Sequence, residues 1–458
     1  MKKTFLLLLC AFALSLTACA EKCNVARELT SREEIDANPQ VVVPTMTVYN
    51  GDLYPNVAPA APKGFKPIFM VGYFRHGSRL EALESYPIES HDYFVQADKA
   101  GLLTPLGKEV MKYMKWNLDV HENRTGDITT TGFNQHKQLG KRYCKNFPML
   151  FKGAAQVGSV GSTSLRATMS MVAFNEGMKE YNPQLNNTME ASEVVTTMIR
   201  PQKPAHNKLY TPAEEAEYKS FLKKEVFSKL IAWGNRQNLD HAKNALFTDP
   251  SKFFSLFEEE PFKIMSNIYK RLAFSQNMGI NDRTLIDQVF TADECHIMYK
   301  VENARWYYRC ATAAHPILAN NMSQSRLTVD YMANQIDEAI AGKDNETANF
   351  IFGHDLNIIP LQAIFGLDHL PIRFEKENEN IDYIAERWRG YKITPMAANF
   401  MFIIYRNKAG EVLVRAQINE RDVELPVETN TPYYYDWNEV KKLAYSRLDE
   451  IDQLKKAN

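Results

Sequence analysis

Arg75-His76-Gly77-Ser78-Arg79 sets an imidazole among two guanidiniums within five residues. Arginine forks match the oxygens of a phosphate geometrically. Cationic neighbours also disfavour an imidazolium, so they keep the ring neutral. Such a grouping makes a poor core and a good anion trap. Arg166 follows in "GSTSLRATMS", early in a helical pattern, and Gly353-His354-Asp355 brings a second imidazole beside a carboxyl. Three arginines and a histidine converging would neutralise a phosphate dianion. A neutral imidazole is a competent nucleophile towards phosphorus, and a carboxylic acid opposite it can protonate a leaving alkoxide. Each piece alone has a plainer reading. Arg166 suits a helix surface, Asp355 suits a helix cap, and a lone histidine is more often a satisfied structural residue than a catalyst. The chemistry needs them together, in order, at strand ends.

Elements must therefore bring distant segments to one place. An apolar run, Ile68–Phe74, reads as a buried strand ending in the Arg75-His76-Gly77 turn, where Gly77 supplies backbone conformations that other residues adopt at a cost. Helical patterns cover Pro105–Leu118, Phe133–Phe147 and Leu165–Met178, the last capped from Ser162, Thr163 or Ser164. A short strand fits Gln156–Val160. From Thr211 to Glu302 the pattern is helical with no convincing strand, and Thr211-Pro212-Ala213-Glu214 opens it as a capping box with proline at the first helical position. A helix near Leu327–Ile340 leads to the strand "NFIFG", and a hairpin turns at Asn407–Gly410. Residues 39–67 hold six prolines and read as a tether or surface wrap.

The expected fold is α/β: a mostly parallel central sheet flanked by helices, with a mainly α-helical cap domain inserted. The expected boundaries are a leader over 1–19, a tether and wrap over 20–64, an α/β domain in two parts over 65–180 and 321–458, and the insert over 181–320. Ligands of such sheets sit at the carboxyl ends of strands, where "RHGSR" and "GHD" both fall.

Lys plus Arg number 54 and Asp plus Glu 55, so no global field favours nucleic acid or anionic lipid. The expected partner is a small phosphorylated molecule. Lys2, Lys3 and "FLLLLCAFALSL" form an export leader ending in Leu16-Thr17-Ala18-Cys19, which resembles the bacterial lipobox. Cys19 would carry a lipid anchoring the protein at a bacterial membrane, facing the periplasm or cell surface; cleavage after Ala20 would instead leave it soluble in the periplasm. Export permits disulfides among Cys23, Cys144, Cys295 and Cys310, with Cys295–Cys310 the nearest pair in sequence. Cys295-His296 lacks a matching second pair of ligands, so no metal site is expected.

Taken in order, these segments resemble the histidine acid phosphatases, the branch of the histidine phosphatase superfamily that includes phytases. The resemblance spans about residues 65–178 and 345–425. It rests on Arg75-His76-Gly77-Ser78-Arg79, on "ITTTGFNQHKQLGKRY" at 128–143, on Ser162, Arg166, Ser170, Ala173-Phe174 and Gly177, and on Gly353-His354-Asp355. The segments "SREEIDANPQ" and "APKGFKPIF" look further like bacterial multiple inositol polyphosphate phosphatases. The resemblance implies that His76 is a nucleophile forming a phosphohistidine. Arg75, Arg79, Arg166 and His354 would bind the phosphate, and Asp355 would protonate the leaving group and then help water attack. It implies no metal and no cofactor. Three departures stand out. Glu81 and Ala82 occupy positions where the family usually has proline and often threonine, and His354-Asp355-Leu356 stands where the inositol polyphosphate enzymes often carry His-Ala-Glu. Glu81 would place negative charge near the entrance. The implied activity is hydrolysis of phosphomonoesters, inositol polyphosphates such as phytate foremost. Broad action on sugar phosphates or nucleotides is the alternative, ahead of a phosphomutase or a non-catalytic phosphate-binding lipoprotein.

Overall fold

The computed structural model describes residues 29–49, 60–280, 282–343, 345–367, 370–372 and 380–456. Its centre is β1 (Lys66–Arg75), an apolar run buried along almost its whole length, as expected of a strand covered on both faces. Its side chains alternate between two cores. Phe69, Val71 and Tyr73 point to the larger one, and Met70 and Phe74 to a smaller aromatic one. In the smaller core Phe74 stacks on Phe352 at 5.1 Å and meets Phe174 at 4.9 Å.

β1 lies between β4 (Glu346–Gly353) and β5 (Asn399–Arg406). β2 (Gln156–Gly161) follows β4, and β3 (Asn186–Ala191) closes that edge. β6 (Val412–Ile418) and β7 (Arg421–Val423) extend the sheet past β5, and β8 (Tyr435–Asp436) pairs with β6. β1, β2, β3 and β4 run parallel, and β5, β6 and β7 form an antiparallel wing. The parallel register sets Arg75 beside Gly353 and Gly161 beside Phe352. The three strands that carry the chemical motifs therefore end side by side.

β3 is a strand that the sequence pattern did not reveal. Its residues, Asn-Asn-Thr-Met-Glu-Ala, are mostly exposed at the sheet edge, so no apolar alternation marks them. Most of the described chain from Pro212 to Ser323 is helical, and the Thr211 capping box with Pro212 forms as read. The proline tract is not a loose tether where it is described. After the helix Ser31–Ala37, the 3-10 turns Pro39–Val42 and Pro44–Met46 bury Val41 and Val43. The expected Cys295–Cys310 disulfide is absent: Cys144, Cys295 and Cys310 are buried free thiols. Cys295 sits near the start of the helix Ala292–Trp306 and Cys310 in the π-helical turn after it. Roughly 20 Å of helical rise separates them, against under 7 Å between the Cα atoms of a disulfide. Cys19, Cys23 and the leader lie outside the described residues. No helix among the described residues is long and apolar enough to cross a membrane.

Gly77 is required for a reason other than backbone freedom: its φ is not in the left-handed region. The motif loop instead presses against the start of the helix Thr130–Asn146, where a Cβ on Gly77 would come 2.4 Å from the Gly132 carbonyl oxygen. A Cβ on Gly132 would come 2.0 Å from that of Ser78. Gly132→Ala is expected to destabilise the fold by at least about 1–3 kcal/mol, the usual range for overpacking, seen as a lower urea midpoint. A wild-type midpoint would show that this approach is not tight.

Candidate active site

Arg75 is the last residue of β1, paired with Gly353, and His76 follows just past the strand's end. Arg75 is buried, and its fork is largely engaged. Nη1 donates to the carbonyls of Thr45 (2.6 Å) and Thr394 (2.8 Å), and Nη2 lies 2.9 Å from Asp355 Oδ2. Its Nε is buried without a partner. His76 Nδ1 lies 2.9 Å from the Gly77 carbonyl. A carbonyl only accepts, so Nδ1 carries the proton and Nε2 keeps its lone pair. The backbone of His76 is pinned on both sides, its N–H to Gly353 and its carbonyl to Ala397.

His354 stands across from His76, with ring centroids 5.6 Å apart. Its Nε2 lies 3.0 Å from Ser162 Oγ at the end of β2, and its N–H donates to the Tyr73 hydroxyl at 3.1 Å. It is the N-cap of the helix Asp355–Phe365, so Asp355 is the first helical residue rather than the cap. Arg166 lies in the first turn of the helix Leu165–Tyr181, whose N-cap Ser164 makes no side-chain bond. Arg79 Nη1 donates to the Leu80 carbonyl, and the Nε atoms of Arg79 and Arg166 are buried without partners. The structure thus sets His76 against His354 and pairs Arg75 with Asp355. Arg79 and Arg166 act on both imidazoles through their charge. Cys19 lies outside the described residues.

Burial, then the charges of Arg166, Arg75 and Arg79, hold His76 well below the usual histidine range. Burial and Arg200, Arg166, Arg75 and Arg79 do the same to His354. Burial pushes the Asp355 carboxyl up, but Arg75, Arg309, Arg79 and Arg166 outweigh it and hold it below the ordinary aspartate value. Arg75 and Arg166 are lowered to about 10, chiefly by burial, and stay charged.

Two cations of this field, Arg200 and Arg309, escaped the sequence reading. Arg200 follows Ile199, whose carbonyl accepts from the Tyr73 hydroxyl, at the C-terminal end of the short helix Glu193–Ile199. Arg309 sits in the π-helical turn Tyr307–Ala311, 4.8 Å over the Trp306 ring. No spacing rule ties either to the motifs. Only the π turn, a feature that often marks functional sites, would have drawn attention to Arg309, and it is not legible in sequence. Three residues of the segments already singled out support the motif loop. Ser170 Oγ accepts from Gly77 N–H, Gln135 Oε1 accepts from Ser78 N–H, and His136 Nε2 donates to the Arg75 carbonyl. Glu81, expected near the entrance, is instead buried and lies 2.8 Å from Arg271 Nη2.

A family profile described as histidine phosphatase superfamily (branch 2) matches residues 70–421. This chain belongs to that superfamily. Among solved structures it resembles the Bifidobacterium longum multiple inositol polyphosphate phosphatase in complex with inositol hexasulfate. That likeness has a TM-score of 0.68 at 20% identity, over 89% of this chain and 98% of the other. The phytase from D. castellii gives 0.64 at 13% identity, over 92% and 89%. No curated protein matches the sequence. At these identities the structural likenesses concern the fold. Among the described residues of this histidine phosphatase-superfamily chain, no three His, Cys, Asp or Glu side chains are grouped to hold a metal ion.

Three buried histidines set an acid limit on stability. Burial lowers His136 to about 3, and His76 and His354 are also depressed. An unfolded histidine titrates near 6.5. Below that pH the unfolded chain takes up protons that the folded one refuses, so stability is full above pH 6.5 and falls as pH drops. Each such histidine contributes a slope of about 1.4 kcal/mol per pH unit. His136→Gln, which keeps an N–H for Arg75, is expected to reduce the slope between pH 6 and 4 by about one proton. Chemical denaturation across that range measures it, and an unchanged slope would mean that folded His136 is already protonated there.

Proposed function

We propose that this protein is an exported hydrolase of phosphomonoesters that works through a phosphohistidine on His76, with inositol polyphosphates such as phytate as its substrates. The observation that carries the reading is the state of His76. Its Nδ1–H is committed to a carbonyl, its Nε2 has no hydrogen-bond partner among the described residues, and burial with the surrounding arginines keeps it neutral. Arg79, Arg166, Arg200 and Arg309 make no ion pair among the described residues; only Arg75 does, with Asp355. The phosphoryl group would sit among these guanidiniums and His354, with Nε2 of His76 in line with the leaving oxygen.

Asp355 would then act as the acid. In the structure its carboxylate pairs with Arg75. A phosphate dianion competes for the same cations and weakens their hold, so the carboxyl gains affinity for a proton once substrate is present. After donating it to the alkoxide, the carboxylate takes a proton from the water that attacks phosphohistidine. The polyphosphate reading draws on the excess of cations. Five arginines act on this pocket against Asp355, with Glu215 acting on Arg200 as well, and one phosphate dianion still leaves positive charge over. Arg200 and Arg309 come from the proposed cap segment, 181–320, where a substrate's further phosphates would lie. The Bifidobacterium longum relative of the same fold is a multiple inositol polyphosphate phosphatase. Export and a lipid on Cys19 rest on the leader residues.

His76→Ala is expected to abolish phosphate release from p-nitrophenyl phosphate while leaving the circular dichroism spectrum unchanged; undiminished turnover would remove the mechanism. Asp355→Asn should slow phytate and glycerol phosphate by roughly 10²-fold or more and p-nitrophenyl phosphate far less, because nitrophenolate leaves without a proton. Equal losses would make Asp355 structural.

Arg200→Ala and Arg309→Ala test the substrate class. Each lost charge-assisted contact is worth about 1.5–3 kcal/mol, roughly 10- to 100-fold in kcat/KM. Phytate should lose that much and p-nitrophenyl phosphate much less. Equal losses would favour a generic phosphomonoesterase. Arg166→Ala should also move the acid limb of kcat/KM to higher pH, because removing a cation lets His76 protonate earlier. An unmoved limb would mean that the limb does not report His76.

A further inference from the structure

Glu81 and Arg271 form a buried ion pair that the chemistry above does not use. The Glu81 carboxylate lies 2.8 Å from Arg271 Nη2 on the helix Pro261–Phe274, and both side chains are almost wholly enclosed. Among the described residues Nε and Nη1 of Arg271 have no hydrogen-bond partner, and its guanidinium lies 5.2 Å over the ring of Tyr86, in the first turn of the helix Ser85–Lys99 that follows Glu81. Two desolvated charges are not an economical way to stabilise a fold, because apolar replacements of buried pairs are often neutral or better. Such a pair does define one geometry, since breaking it leaves a buried charge alone.

That geometry bears on Arg79. Ser78–Glu81 is joined by backbone bonds to residues 126–129. Thr129 N–H donates to the Ser78 carbonyl (2.9 Å), Leu80 N–H to that of Asp127 (2.8 Å), and Gly126 N–H to that of Glu81 (2.7 Å). Arg79 sits inside this short ladder, bridged to Ile128. Gly132 and Ser170 hold its upstream end at Gly77 and Ser78. The downstream end has one charged anchor, the Glu81 side chain. Among the described residues Arg79 makes no ion pair, its Nε has no partner, and its Nη1 donates to the adjacent Leu80 carbonyl, so its side chain does little to tie it to anything beyond its own loop.

We propose that the Glu81–Arg271 pair is a positioning device that clamps the exit of the motif loop to the inserted helices and so holds Arg79 in register with the phosphate. The proposal rests on the reading of Arg79 as a phosphate ligand. Arg79 would touch the substrate; Glu81 and Arg271 act only through it.

The test is the inhibition constant of inorganic phosphate against p-nitrophenyl phosphate hydrolysis, measured well below the melting temperature. Arg79→Ala, Glu81→Gln, their combination and Arg271→Lys are compared. Asp422→Asn serves as a control that breaks the buried Arg415–Asp422 pair at the far edge of the sheet. A 1 Å misplacement in an active site can cost roughly 10²-fold, and Glu81→Gln is expected to weaken phosphate by about tenfold, with little further loss in the Arg79→Ala background. Arg271→Lys keeps the charge, so it preserves folding should Glu81→Gln fail to fold, and is expected to weaken phosphate by a smaller factor. Asp422→Asn should lower the melting temperature and leave the constant unchanged. A wild-type constant in both Glu81→Gln and Arg271→Lys, or the same tenfold loss with Arg79 already removed, would overturn the proposal. An unchanged constant in Arg79→Ala would instead sink the reading of Arg79 as a phosphate ligand.

Discussion

Five guanidiniums act on one carboxylate, and this imbalance governs the rest of the site. Arg75, Arg79, Arg166 and Arg309 all act on Asp355, and Asp355 acts in turn on Arg200. Like charges a few ångströms apart repel by about 1 kcal/mol in water and several times that near a protein interior. A site of this kind opposes its own assembly until an anion arrives. It persists because each cation hangs from rigid structure. The Arg75 fork is held by two backbone carbonyls, Arg166 rides a helix, Arg309 lies on an indole, and Arg200 follows a carbonyl locked to Tyr73.

The same positive field acts oppositely on the two proposed reacting groups. Burial and the field together keep His76 neutral, as a nucleophile must be, whereas at Asp355 the field outweighs burial and favours the ionised form, which an acid does not want. In the proposed mechanism substrate would resolve the conflict. A dianion would cancel much of the field just when a proton is wanted on Asp355, and a phosphohistidine would keep negative charge beside the arginines. The proposed chemistry is therefore tied to occupancy: acid, nucleophile and cations would all be in their working states only with phosphate among them.

The parallel half of the sheet was legible because its strands are buried on both faces, so β1 and β4 announce themselves as apolar runs. The six motif residues of the site were legible because their types are unusual at strand ends and their order matches a known family. β3 was hidden by its exposed, polar edge sequence. Arg200 and Arg309 were hidden because long-range packing, not spacing, brings them to the pocket. The free thiols at Cys295 and Cys310 show the same limit: nearness in sequence becomes distance along a helix. Glu81 misled because its charge suggested exposure, whereas its partner lies 190 residues further on.

The described part of the proline-rich wrap now has a physical role. Its Thr45 carbonyl takes one N–H of Arg75, Thr47 accepts from Met396 N–H, and Met46 accepts from Asn277. Upstream, Ser31 bonds Glu386 and Glu34 pairs with Arg389. One segment therefore touches β1, the turn Ser275–Met278 and the chain that leads into β5. Arg75 already faces one carboxylate, Asp355, through Nη2, so its remaining donors need acceptors that do not cancel more of its charge, and at Nη1 the backbone carbonyls of Thr45 and Thr394 meet that need. Proline suits such a segment, because its missing N–H spares a buried backbone one unsatisfied donor and its fixed φ lowers the entropy lost on docking. The tract that looked like a spacer is in this sense part of the site's electrostatics: it lets Arg75 be buried and still be positive.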